Sequence, residues 1–170
     1  MFTYLPHLEG YSQKHAKSDA KGILHLDKLI EFLKDHYAAT SETLKALLKH
    51  REITFQLLPV FFRPQSLVFM IPSSSEQPEC FMFDSGEVKS FHGEKTFEMH
   101  CHNLVYDGKS FANTTTAIRI LEFRNVRKII ALTVYPLNYH ATKEKIVKKL
   151  IQRGRKYIDL IKVHYRSYKG

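Results

Sequence analysis

The spacing of apolar residues changes along the chain from a helical period to a two-residue period and back. Before residue 66, apolar side chains recur every three or four positions, which is typical of amphipathic helices. Beyond it they alternate with polar ones over short stretches, as in half-buried strands. A helical period returns after residue 142. We therefore expect an α+β fold with N-terminal helices, a mostly antiparallel five- to six-stranded sheet or small barrel, and a C-terminal amphipathic basic helix.

Three helices are predicted in the first part of the chain, after an irregular lead-in over residues 1–22. Thr40 or Ser41 can serve as N-cap for the second helix, and Thr54 for a short third one. Pro59 falls near the first turn of the third helix, where it removes few helical hydrogen bonds. The three apolar faces consist of Ile23, Leu26, Leu29, Ile30 and Leu33; of Leu44, Leu47 and Leu48; and of Phe55, Leu58, Phe61 and Phe62.

Strands are expected at residues 67–71, 80–83, 96–106, 110–121 and 128–134. Asp107-Gly108 supplies a tight hairpin turn. Because side chains alternate across a strand, the apolar members of 96–106 should face the core and the polar members the opposite side. The inward set is Phe97, Met99 and Cys101, and the outward set is Glu98, His100 and His102. Since no linker divides the chain, residues 23–170 are expected to form one domain.

Positive charge is concentrated at the C-terminal end of the sequence. Residues 142–170 carry ten Lys or Arg against two acids, whereas the preceding 141 residues carry sixteen against fifteen. The last helix is expected to start near Thr142 and to carry one apolar stripe, formed by Ile146, Val147, Leu150, Ile151, Tyr157, Ile158 and Ile161. Its polar side presents Lys145, Lys148, Lys149 and Lys156, with Arg153 and Arg155 at the borders. Such a surface is either a solvated outer face or a contact for an acidic partner.

Length and composition exclude several classes of protein. A chain of 170 residues is long enough to bury a core. Its apolar and charged fractions are those of an ordinary globular protein, which argues against a wholly disordered chain. No apolar run reaches the ~18–20 residues that span a bilayer, and residues 1–22 lack the pattern of a signal peptide. We therefore expect no membrane partner. Two cysteines, Cys80 and Cys101, do not make a disulfide framework, so we expect reduced thiols in the cytosol or nucleus.

Gly108-Lys109-Ser110 matches the end of a phosphate-binding P-loop. The glycine that a working loop needs five positions earlier is replaced by Asn103, and the predicted context is strand–turn–strand. We therefore expect a hairpin turn here and no nucleotide site.

A zinc site is a further possibility on the polar side of 96–106. His100 and His102, with Glu98, share that side, and His92 or Glu94 could complete the ligand set. The alternative is a solvated polar face, and two histidines two positions apart are a weak signal. No nucleophile–base set or paired carboxylates stand in a recognisable motif, so the chain is expected to be non-enzymatic and without cofactor.

Six stretches of the sequence resemble one family. They are HREITFQLLP at 50–59, RPQSLVF at 63–69, VYDGK at 105–109, VYPLNYH at 134–140, LIQRGRKY at 150–157 and VHYRSYKG at 163–170. Together they are similar to the uncharacterised domain found upstream of the AAA ATPase core in large fungal AAA-family proteins. Pro59 stands where that family would have a helix former, often Trp, and the sequence ends at Gly170 without an ATPase core.

The resemblance implies a non-catalytic recognition or regulatory module. Its partners would be the ATPase core in cis, if the full-length protein has one, and a protein substrate or adaptor in trans. The alternative is a stand-alone nucleic-acid-binding module that uses the basic helix. Aromatic residues are not interleaved with its lysines, which weakens that alternative.

Overall fold

The computed structural model describes residues 5–15, 20–72 and 74–161, and these form an α+β fold. The described helices are α1 (Leu5–His15), α2 (Ala20–Lys49), α3 (Leu58–Phe61) and α4 (Lys143–Asp159). The described strands are β1 (Glu52–Ile53), β2 (Ser66–Met70), β3 (Glu79–Phe91), β4 (Glu94–Tyr106), β5 (Phe111–Leu121), β6 (Arg127–Lys128) and β7 (Val134–Pro136). The predicted fold class is confirmed. Among the described helices, none has the length and apolar character to cross a membrane.

The first two predicted helices are one continuous helix, α2. Neither Gly nor Pro occurs between residues 34 and 49, so nothing in this stretch stops a helix once it has started. Thr43 lies inside α2, where its hydroxyl donates a hydrogen bond to the carbonyl of Ala39 at 2.9 Å. The prediction of an N-cap at Thr40 or Ser41 was therefore wrong.

The expected irregular lead-in is also wrong for the residues that the structure describes there. Residues 5–15 form α1, which packs against α2. The Ser12 hydroxyl donates to the carboxylate of Asp27, and Lys34 pairs with Glu9 at 2.7 Å. Whether residues 23–170 constitute the whole domain stays a prediction.

Five antiparallel strands form the main sheet, in the order β5-β4-β3-β2-β7. A separate two-stranded ribbon joins β1 to β6, with Glu52 opposite Lys128 and their charged groups 2.8 Å apart. The strand predicted over 128–134 is thus divided between two sheets. A three-ten turn at Ile129–Ala131 redirects the backbone, because Lys128 pairs with β1 whereas Val134 pairs with β2.

The core lies between one face of the sheet and the short helical segment at residues 55–62. Phe62 follows α3, and its ring centroid lies 5.6 Å from that of Phe83 and 5.7 Å from that of Phe97. Thr54 precedes a three-ten turn without a side-chain capping bond, and Pro59 falls in the first turn of α3. Phe97, Met99 and Cys101 are completely buried, so their predicted inward orientation is confirmed.

Gly86 lies on β3 against the ring of Phe97, where a Cβ would come within 2.5 Å of Phe97 Cζ. Because Phe97 is fully buried, its ring has little room to move away. We expect Gly86→Ala to lower the free energy of unfolding by about 1–3 kcal/mol, as measured by urea denaturation.

Gly154→Ala is the matched control for Gly86→Ala. Gly154 lies within α4, and no described atom would be within 4 Å of its added Cβ apart from the neighbouring residues and the backbone of the helix itself. That substitution should be neutral or should stabilise the helix by up to ~1 kcal/mol. Equal stability of Gly86→Ala and the wild type would contradict the close packing of Phe97 on β3.

Candidate functional site

Helix α4 carries the predicted cationic surface and begins where the sequence indicated. Thr142 occupies the N-cap position, and its N–H donates to Nδ1 of His140 at 3.1 Å. Glu144 lies in the first turn and Lys156 in the last. Both charges stabilise the helix, because the dipole is positive at the N-terminus and negative at the C-terminus. The segment at residues 134–140, which precedes α4, forms strand β7 and a three-ten turn at Leu137–Tyr139.

Only the first half of the apolar stripe on α4 contacts the core. Ile146 is buried, and Val147 and Leu150 are half-buried. Ile151 and Ile158 are 50% and 56% exposed, so the predicted apolar stripe is only partly buried. Among the described elements, α4 makes its most extensive contacts with the three-ten turn at Leu137–Tyr139.

Tyr157 has a different role from the predicted one. It is 46% exposed, and its hydroxyl accepts a hydrogen bond from the backbone N–H of Tyr106 at 3.3 Å. The bond joins the far end of α4 to the last residue of β4. Gly154 does not mark a close packing contact within the described residues, since its surroundings are open.

The cationic face of α4 is defined by Lys145, Lys148, Lys149, Arg153, Arg155 and Lys156, and all six residues are exposed. Over its whole length α4 contains seven basic residues against two acidic ones. Lys149 Nζ lies 3.4 Å from Oε1 of Gln77, in the loop that precedes β3. The structure thus brings the six predicted residues onto one exposed helix, where they can attract an acidic surface.

A cavity of about 560 Å³ lies beside α4, between the helix and the strands. Val147, Leu150, Ile151 and Arg153 line it from the helix. Leu67 and Cys80 line it from β2 and β3. This cavity was not predicted from the sequence, because residues of its two walls, such as Cys80 and Leu150, lie far apart in the chain. We call it the α4 groove.

Gly108-Lys109-Ser110 forms the predicted hairpin turn. The carboxylate of Asp107 accepts hydrogen bonds from the N–H groups of Lys109 and Ser110 at 2.7 and 2.8 Å. These bonds hold the pKa of Asp107 below its ordinary value. Gly108 has φ of +100°, a conformation that suits glycine. The two amides that would contact a phosphate in a P-loop are therefore bonded to a carboxylate here.

The outward side of β4 is occupied by ion pairs. Glu98 is almost completely buried and bonds to Lys89 of β3 and, at 2.7 Å, to Nε of Arg119 of β5. His102 Nδ1 lies 2.7 Å from the carboxylate of Asp84, at the irregularity in the β3–β4 pairing. The predicted solvated face is thus a network of charged groups.

The ligand set considered for zinc is not the set that the structure brings together. Potential ligand atoms of Glu87, Glu98 and His100 lie within 4.8 Å of one another, whereas His102 is paired with Asp84. A cation would have to displace Lys89 and Arg119 from Glu98. The cluster is better described as an ion-pair network than as a metal centre.

Both cysteines are free thiols. Burial raises the pKa of Cys101, and that of the half-buried Cys80, to about 11. Neither environment activates a thiolate near neutral pH. The stretch at 163–170, with its two tyrosines, lies outside the described residues.

The residues that match a known family are those that precede α4. The matched family is a domain of unknown function, DUF7025, and the match covers residues 43–141. It includes the end of α2 and both sheets, and it stops before Lys143, where α4 begins. No curated protein and no solved structure matches the chain.

The ion pairs of Glu98 generate a prediction about acid stability. The hydrogen bonds from Lys89 and Arg119 lower the pKa of Glu98 from 4.5 to about 2. A depressed pKa means that the carboxylate contributes stability above pH 4.5, and that this contribution is lost as the pH falls toward 2. We expect Glu98→Gln to lower the urea midpoint at pH 7, by an amount that shrinks as the pH is lowered to about 3.

Glu122→Gln provides the comparison for Glu98→Gln. Glu122 is more exposed, and its carboxylate lies 4.0 Å from Lys95 Nζ. Its substitution should change the midpoint little at either pH. A loss in Glu98→Gln that stayed constant between pH 7 and pH 3 would rule out the ionised carboxylate as its source.

Proposed function

The chain belongs to the DUF7025 family of domains of unknown function, and from that premise we propose that it is a non-catalytic recognition module for an acidic protein surface. The observation that carries the proposal is the exposed cationic face of α4, attached to a body that is almost neutral. A concentrated cation on a rigid helix steers acidic partners toward one side of the molecule.

The setting that we propose for this module is a AAA-family ATPase. Support comes from the sequence resemblance to the domain upstream of the AAA core in large fungal AAA-family proteins. The module would then contact the ATPase core in cis and a protein substrate or adaptor in trans. The DUF7025 match ends before α4, whereas the resemblance to the AAA-associated domain continues through the stretch at residues 150–157, which lies on α4 and includes part of the cationic face.

A non-catalytic role agrees with the hydrogen bonds and ion pairs at the two places where the sequence suggested a nucleotide site or a metal site. The turn amides at Lys109 and Ser110 are bonded to Asp107, and Glu98 is neutralised by two cations. A binding module recognises its partner through surface charge and shape, so it does not require a cavity beside Asp107 or Glu98. The free thiols of Cys80 and Cys101 suit a reducing compartment, which is where we propose that the module acts.

Charge reversal on α4 tests the proposal. We expect Lys145, Lys148, Lys149 and Lys156, replaced together by Glu, to weaken binding to a labelled 20-residue poly-glutamate peptide by about tenfold to a hundredfold. The measurement is fluorescence anisotropy at low ionic strength, with circular dichroism to establish that the variant is folded.

The matched control reverses four lysines elsewhere in the described chain, Lys14, Lys28, Lys45 and Lys109. These residues are also exposed. Because four lysines are replaced by Glu in both variants, the control lowers the net charge by the same amount without changing α4. It should retain most of the affinity. Equal weakening in the two variants would show that binding depends on net charge alone and would overturn the assignment to α4.

Duplex DNA in the same assay tests the nucleic-acid alternative. Binding through phosphates should weaken steeply with salt, with a log–log slope near −0.9 for each phosphate neutralised. Tight, salt-sensitive binding of DNA together with no binding of the acidic peptide would replace the protein-recognition proposal. Undetectable DNA binding at low salt would remove the alternative.

A further inference from the structure

The α4 groove combines apolar walls with exposed apolar side chains. Leu67 on β2 and Ile151 on α4 are 45% and 50% exposed, and they line the same cavity. Val147 and Leu150 continue the apolar wall toward the core. Exposed apolar residues are ordinary when scattered, but a contiguous set around a cavity of about 560 Å³ is typical of a binding site.

The wall of the groove that α4 forms is held in position by contacts with the rest of the domain. Tyr157 bonds to the backbone of Tyr106, so α4 is attached to the sheet beyond the groove as well as before it. Lys149 adds a contact to Gln77 at 3.4 Å. A groove whose walls are fixed before binding costs little ordering of the protein when a ligand enters.

The charges around the groove indicate the kind of occupant. Arg153 lines the groove, and the rest of the cationic face continues along the same helix. Glu79 also lines the groove, and its Oε1 accepts a hydrogen bond from the Ser75 hydroxyl at 3.2 Å. A second copy of this chain would bring two strongly basic helices together, which is electrostatically unfavourable.

We propose that the α4 groove binds the apolar side chains of an acidic amphipathic segment of another protein, while the carboxylates of that segment pair with the cationic face of α4. The inference rests on the proposed function and adds a second recognition element to it. Charge would bring the partner to α4, and the apolar side chains that fill the groove would select among acidic partners.

Two synthetic peptides of equal charge separate the two elements. The first carries Leu at positions i, i+3, i+4 and i+7 among glutamates, and the second carries Ser at those positions. We expect the full chain to bind the Leu peptide on the order of tenfold more tightly than the Ser peptide in an anisotropy titration.

Cys80 provides a direct reading of groove occupancy, because it lines the groove and is a free thiol. Its rate of alkylation by a maleimide at fixed pH should fall several-fold when the Leu peptide is bound, and much less with the Ser peptide. Cys101 is completely buried and should stay unlabelled in the folded protein throughout.

Ile151→Ala tests the helix wall of the groove, and Ile158→Ala is its control. Both isoleucines are about half exposed on α4, but Ile158 does not line the groove. Ile151→Ala should weaken binding of the Leu peptide about fivefold and leave the Ser peptide unaffected. Ile158→Ala should bind both peptides like the wild type.

The outcomes distinguish this inference from the proposed function. Equal affinity for the two peptides, with unchanged Cys80 labelling, would overturn the groove inference and leave the cationic recognition intact. No binding of either peptide would overturn both. Protection of Cys80 that rises with protein concentration alone, with a doubled mass by sedimentation, would place a second copy in the groove and overturn the inference.

Discussion

The packing of Phe97 fixes how the sheet and the helical layer fit together. Its ring stacks on Phe62, which follows α3, and lies against Gly86 of the neighbouring strand. A slip of one residue in β4 would move Phe97, Met99 and Cys101 to the outer side and bring Glu98 into the core. The register is therefore determined by which residues can occupy the buried side, and the positions of β3 and β5 follow from it.

The same register determines the polar side of the sheet. Because Glu98 is paired across the strands with Glu87 on one side and Arg119 on the other, its carboxylate lies among charged neighbours. Lys89 bonds to both glutamates and Arg119 bonds to Glu98, so the like charges of the two acids are compensated. This arrangement explains how a glutamate can be nearly buried without being protonated.

Helix α4 stands apart from this framework in its packing and in its charge. Its first turns contribute Ile146 to the core, whereas its second half is attached to the sheet by the bond between Tyr157 and Tyr106. The α4 groove lies between this helix and the sheet, with Val147, Leu150 and Ile151 on the helix side and Leu67 and Cys80 on the strand side. An apolar cavity therefore adjoins the cationic surface. Helix α4 lies outside the region that matches the DUF7025 family, whereas the β2 and β3 residues that line the cavity lie inside that region.

The sequence by itself determined the features that depend on neighbours close in the chain. The alternation in residues 96–106, the turn at Asp107-Gly108 and the start of α4 near Thr142 were all predicted, because periodicity and turn chemistry are local. The length of α2 was misjudged because a threonine can cap a helix or lie within one, and packing against α1 and the sheet decides which. How much of the α4 stripe is buried, and the groove that results, were decided only by the tertiary structure. A stripe shows which side of a helix is apolar, but not how far along it another element reaches, and the walls at Leu67 and Ile151 meet only after folding.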